Sequence, residues 1–139
     1  MMSSTVSNPY SFNIQNNTSF TSLAIAPILP DSDTLLATLT RQGTRTIFVP
    51  SGCKVVLLRI NSGPDSENMG TAVKVYNLDN NKNWYYKAGD PNGFFDSAYV
   101  GVTPGKSYTI KLIGRGDEPT CEISYSKNIN NKTPNITDY

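Results

Sequence analysis

The stretch Thr44-Arg45-Thr46-Ile47-Phe48-Val49, followed by Pro50-Ser51-Gly52 and then by Lys54-Val55-Val56-Leu57-Leu58-Arg59-Ile60, decides the fold class. Two short runs rich in β-branched and aromatic residues flank a Pro-Ser-Gly break, and that is the grammar of strand, turn, strand. The same grammar extends in both directions. Runs at Tyr10 to Ile14, Thr21 to Ile28, Thr34 to Leu39, Ala72 to Leu78, Asn83 to Lys87, Ser97 to Val100, Ser107 to Ile113 and Glu122 to Ser126 are separated by Pro, Gly, Asn and Asp clusters. Asp33 to Gln42 is the best helix candidate, capped by Asp31 or Ser32 and ended by Gly43, but Thr34, Thr38 and Thr40 weaken it and a strand is preferred. The expected fold is therefore all-β: an antiparallel β-sandwich, or a jelly-roll-like one, of about nine short strands.

Composition agrees. The chain has 139 residues, enough for one modest core, with 15 Asn, 14 Ser and 14 Thr but only 17% charged residues. Ser, Thr and Asn compete for backbone hydrogen bonds inside helices, and Thr favours strands, so this bias points the same way as the periodicity. Lys and Arg number 12 against 11 Asp and Glu, a net charge of +1 with the charges scattered. Nothing there forms a nucleic-acid-binding stripe, and no nucleic-acid partner is expected.

Histidine is absent, which removes Ser-His-Asp and Cys-His catalysis and histidine zinc sites. Asp65 and Glu67 share one loop that offers no means of raising a carboxyl pKa, so no enzyme is expected. Cys53 and Cys121 match no zinc or redox spacing; each opens a predicted strand, so either a bridge across the sandwich or two buried free thiols would suit them. Met1 to Tyr10 lacks a basic segment followed by an apolar one, and the longest apolar run, Val55 to Leu58, falls far short of the roughly 20 residues that span a bilayer. The expectation is a soluble product made in the cytoplasm, released or assembled later. The sequons at Asn16, Asn17, Asn131 and Asn135 follow from composition alone.

The densest aromatic segment is Trp84-Tyr85-Tyr86, continued by Phe94-Phe95 and Tyr99. Strand alternation places Trp84 and Tyr86 on one face and Tyr85 on the other, and the adjacent Phe94 and Phe95 cannot both point inward. These six aromatics, with Asn92, are the candidate ligand-binding residues, because a ring edged by amide groups suits a sugar or a lipid interface. Within the set, Trp84, Tyr86 and Phe95 have a competing role as core, which leaves Phe94 and Tyr85 as the preferred surface contacts. Asp90, Asn92 and Asp96 have the spacing of a fragment of a Ca²⁺ loop, though Asx residues before a strand are more often turn formers. Arg115-Gly116-Asp117 spells an adhesion tripeptide, which chance also supplies.

Val49-Pro50-Ser51-Gly52 and Val102-Thr103-Pro104-Gly105 echo each other, each leading into a strand, and read as one local solution used twice. A single domain is expected over residues 10–127, with a polar N-terminal extension at 1–9 and a polar tail at 128–139, both loose unless an assembly holds them.

Several segments resemble the aegerolysins in their order. Ile14 to Ile25 looks like that family's first strand, Asn-containing turn and second strand. Pro50-Ser51-Gly52, Gly63, Asp65, Gly70-Thr71 and Val75-Tyr76-Asn77-Leu78-Asp79 are similar to its middle, and Tyr85-Tyr86 with Pro91 and Gly93 to its aromatic, Pro and Gly loop. The family's Trp-rich signatures and Gly-rich closing strand are missing. The resemblance implies a small β-sandwich, made without a signal peptide, that binds membrane lipids.

Two functions are consistent with these features. The first is a non-catalytic module that recognises a cell-surface glycan or a lipid headgroup through the aromatic segment, with a neutral ligand favoured by the lack of a basic cluster. The second is a homo-oligomeric structural protein of a filament, shell or inclusion whose polar termini engage neighbouring copies.

Overall fold

The computed structural model describes residues 28–40, 43–62, 71–90, 95–114 and 119–138. Two sheets face each other. One contains β1 (Thr34–Thr40), β3 (Val55–Asn61), β6 (Phe95–Gly101), β8 (Thr120–Tyr125) and β9 (Ile136–Thr137), in the order β1-β8-β3-β6-β9. The other contains β2 (Thr44–Phe48), β4 (Thr71–Asn77), β5 (Lys82–Asp90) and β7 (Ser107–Gly114), in the order β2-β7-β4-β5. Strands pair antiparallel as β1 with β8, β2 with β7, β3 with β6 and β4 with β5. That nesting is a jelly roll: a long ribbon of paired strands folds over so that successive pairs fall in opposite sheets. The expected all-β sandwich is thus what forms, and within the helix candidate Thr34–Thr40 is strand. The expected strands at Tyr10 to Ile14 and Thr21 to Ile28 fall outside the described residues, Ile28 excepted.

The fold-over has a visible cause. The two echoing turns lie side by side where β2 passes to β3 and β6 passes to β7. Gly52 and Gly105 take φ of +82° and +78°, the left-handed value that the third residue of a type II turn requires. Cys53 N–H closes the first turn on the Pro50 carbonyl at 3.1 Å, and Lys106 N–H closes the second on Thr103 at 3.2 Å. Val49 N–H then donates to Lys106, Gly105 N–H to Val49 and Val102 N–H to Lys54, so the pairing runs through the corner. The sequence echo is a matched pair of corners.

Between the sheets lies one apolar core, including Leu39, Ile47, Val56, Leu58, Ile60, Val73, Val75, Ile110, Leu112 and Ile123. Trp84 and Tyr108 pack edge to face at its centre, ring centroids 5.4 Å apart. Each such side chain contributes about 1.5–3 kcal/mol by leaving water. Among the described residues no helix is long and apolar enough to cross a membrane.

Residues 127–138 are folded onto the domain, which corrects the expectation of a loose polar tail. Ser126 Oγ accepts from Ile129 N–H and caps a single helical turn, α1 (Lys127–Asn130), whose Ile129 covers Val55, Leu57 and Tyr99. Asn130 Oδ1 accepts from Lys54 and Val55 N–H. Asn135 Oδ1 accepts from Tyr99 N–H, β9 runs parallel to β6, and the Asp138 side chain is fully buried. The tail has too few apolar residues to show periodicity, yet its Asn and Asp side chains satisfy strand-edge groups that would otherwise lack partners.

The cysteines are free and both buried, which corrects the bridge alternative. Cys121 lies opposite Ile60 on β3, whereas Cys53 precedes Val55 at the other end of that strand. Five residues of strand span about 17 Å, well beyond the roughly 4.4–6.8 Å between Cα atoms that a disulfide needs. Burial raises the pKa of both thiols; that of Cys121, also beside Glu122, is pushed up to about 12.

Candidate functional site

The aromatic segment does not form one patch. A bulge in the β4–β5 pairing sets Val75 opposite Tyr85 and Tyr76 opposite Asn83, which leaves Trp84 as an extra residue. A bulge breaks strict alternation, so Trp84 and Tyr85 both lean inward and Tyr86 turns out. Trp84 is fully buried and is core, not a ligand contact. Tyr85 is half-buried against the core and donates through its hydroxyl to Asp96 Oδ2 at 2.9 Å. Tyr86 is 58% exposed and Phe95 also 58%, so neither takes the core role that the sequence allowed it.

Tyr86 and Phe95 lie on opposite sides of the molecule. Phe95 faces outward from the five-stranded sheet, with the Arg59 guanidinium 4.9 Å from its ring centroid. Tyr99, on the same strand, is half-buried beside Ile129. Asn92 and Phe94 lie outside the described residues, as do the Asp90 side chain, Arg115-Gly116-Asp117, Asp65 and Glu67. Of the suggested Ca²⁺ fragment only the Asp96 carboxylate can be placed. It accepts from Tyr85 and from its neighbour Ser97 N–H. No group of three or more His, Cys, Asp or Glu residues that could hold a metal gathers among the described residues.

The fold brings a different set together around Tyr86, on the outward face of the four-stranded sheet. Register places Ile113, Lys74 and Tyr86 in one row across β7, β4 and β5. The next row is Thr44, Lys111, Tyr76 and Asn83. Beyond it Thr46 and Thr109 stand opposite each other, their hydroxyls 3.4 Å apart. Lys74 Nζ is 4.2 Å from the centroid of the Tyr76 ring, 5.7 Å from that of Tyr86 and 3.0 Å from the Tyr76 hydroxyl. An ammonium group over an aromatic face is attracted by the ring's quadrupole, which fixes the lysine and both rings in one arrangement. The outcome is two tyrosines with a cation between them, edged by hydroxyl and amide groups.

Sequence reading missed Tyr76, Lys74 and Lys111. A signal was present, since Lys74 and Tyr76 alternate with the apolar Val73 and Val75 and so had to face outward, but Tyr76 is a single aromatic on its strand and Lys111 lies some 25 positions beyond Tyr86. The chain matches no family model and no curated protein.

Proposed function

We propose that the protein is a non-catalytic binding module for cell-surface glycans, with the outward face of the four-stranded sheet as its contact surface. The observation that carries this reading is the exposed Tyr86 ring set beside Tyr76, with Lys74 fixed between them. A sugar ring offers an apolar face of C–H groups to an aromatic ring and a rim of hydroxyls to nearby polar groups, and Thr44, Thr46, Thr109 and Asn83 supply the latter. The face stands on paired strands of a rigid sandwich, so little ordering is required on binding. The competing reading of a self-assembling protein is less well supported, because residues 127–138 satisfy their hydrogen bonds within their own domain.

The test is a glycan array, with liposomes of mixed headgroup as a parallel arm for the lipids that an aegerolysin-like protein would bind. Stacking on one ring is worth about 0.5–1.5 kcal/mol, so Tyr86→Ala should weaken glycan binding roughly 2- to 12-fold while Tyr86→Phe stays close to wild type. Retention of no glycan, or undiminished binding by a folded Tyr86→Ala protein, overturns the proposal.

A further inference from the structure

We infer that the Tyr76–Tyr86 face selects an acidic sugar, one whose pyranose ring carries a carboxylate or a sulfate; this rests on the glycan-binding reading above. The sequence shows no basic cluster, but the sheet assembles one. Lys74 and Lys111 are 37 positions apart in sequence, yet they occupy neighbouring strands and adjoining rows of the same face, since Lys111 is opposite Tyr76, two residues from Lys74. Diagonal neighbours in a sheet lie about 7–8 Å apart, a separation that lets two ammonium groups converge on one anion.

Neither charge is neutralised by an ion pair among the described residues. Lys82 is committed to Asp138 at 3.9 Å and Lys127 to Asp31 at 2.9 Å. Lys74 is held by aromatic rings and a phenol instead of a carboxylate, and Lys111 makes no ion pair among the described residues. The two rows that carry them, Ile113, Lys74, Tyr86 and Thr44, Lys111, Tyr76, Asn83, contain no acidic residue. A cationic face that already carries two rings is complementary to a ring-shaped ligand with an anionic substituent. Lys74 is half-buried and held over Tyr76, so its orientation is largely set before a ligand arrives.

A nucleic acid or an anionic bilayer would also meet positive charge. The face offers two cations in one compact patch, whereas a bilayer or a polynucleotide draws on a basic surface extending over many residues, and the chain's net charge is only +1.

The test compares matched pairs by calorimetry on the intact protein: lactose with sialyllactose for the carboxylate, and dextran with dextran sulfate for the sulfate. The acidic member of at least one pair should bind more tightly, with an affinity that falls as salt rises. Lys74→Gln and Lys111→Gln should each cost roughly 3- to 5-fold more affinity for the acidic ligand than for its neutral counterpart, as expected for partly exposed charge pairs. Lys132→Gln, at an exposed lysine of the C-terminal segment, serves as the control and should change neither. Which pair responds identifies the anionic group. Equal affinity for neutral and acidic members, lost in Tyr86→Ala, overturns the charge selection while leaving the glycan reading intact. Binding of none of the four sugars, in either wild type or variants, overturns the selection; if the array is also blank, the glycan reading falls with it. Lysine-dependent binding to a single-stranded oligonucleotide or to phosphatidylserine liposomes, with no acidic sugar bound, overturns it in favour of those partners.

Discussion

Replacing Asp138 by alanine should unlatch the C-terminal segment, and the cost can be worked from its contacts. The side chain is 0% exposed. Its carboxylate accepts from the side-chain amides of Asn77 and Asn80 and lies 3.9 Å from Lys82 Nζ. Its backbone N–H donates to the Gly101 carbonyl, and its carbonyl accepts from the Tyr108 hydroxyl, which in turn accepts from Thr103 N–H. One residue therefore ties β6, the β4–β5 turn and the core Tyr108 together. Hydrogen bonds to a charged group are each worth about 1.5–3 kcal/mol, and removing the carboxylate strands the amide of the fully buried Asn77, which costs about 1–3 kcal/mol. Relief of the desolvation of a buried charge offsets part of this, which leaves about 3 kcal/mol. For a domain of this size 1 kcal/mol moves the midpoint by about 3–4 °C, so Asp138→Ala should melt about 10 °C lower by calorimetry. Asp138→Asn should cost nearly as much, because its new NH₂ group must face the amide donor of Asn77 or Asn80. Asp31→Ala, which removes the exposed pair with Lys127, should shift the midpoint by less than about 2 °C. A loss below about 3 °C for Asp138→Ala would show that the latch is incidental to the fold.

Two further stability predictions follow from the corners and the core. Gly105→Ala should destabilise by about 1–2 kcal/mol in urea unfolding although a Cβ there meets nothing within 4 Å, because the cost comes from φ of +78°; a neutral result would contradict the argument from backbone strain. The two thiols should be inert to Ellman's reagent in the folded protein at pH 8 and react fully in guanidinium. The Cys121 pKa is raised, so its stabilising effect is complete below the unfolded value of about 9.0 and is lost as the pH rises toward about 12, where the unfolded chain gives up a proton that the folded one keeps. Stability should therefore fall across that window, less steeply in Cys121→Ala; equal slopes would remove Cys121 as a cause.

Much of the fold could be read in the sequence because strand and turn signals are local. Eight of the expected runs coincide with strands, to within a residue or two at most ends, since each is bounded by Gly, Pro or Asx residues whose backbone preferences act over a few positions. What could not be read was long-range. The bulge at Trp84 depends on how β5 registers against β4, and it is this register that sends Tyr86 outward and Trp84 into the core. The C-terminal latch depends on Asn77, Asn80 and Asp138 meeting across about 60 residues of chain, through polar side chains that carry no periodic signature.

The candidate site has the same origin as these misreadings. A cluster of functional side chains written contiguously, as at residues 84–99, is dispersed by a sheet: neighbours along a strand face opposite ways, and the 84–99 segment passes from one sheet to the other. Tyr86 and Phe95 are nine positions apart and end on opposite sides of the molecule. A site assembled on a sheet face instead draws one residue from each of several strands, as Tyr86, Lys74 and Lys111 are drawn from β5, β4 and β7. Those residues look unremarkable in sequence because each occupies an ordinary outward position of its own strand. The pairing of β4 with β5 on one side and with β7 on the other turns three isolated positions into one surface. Sequence density is thus a poor guide to sites on jelly-roll sheets, and outward-facing positions in the same cross-strand row are a better one.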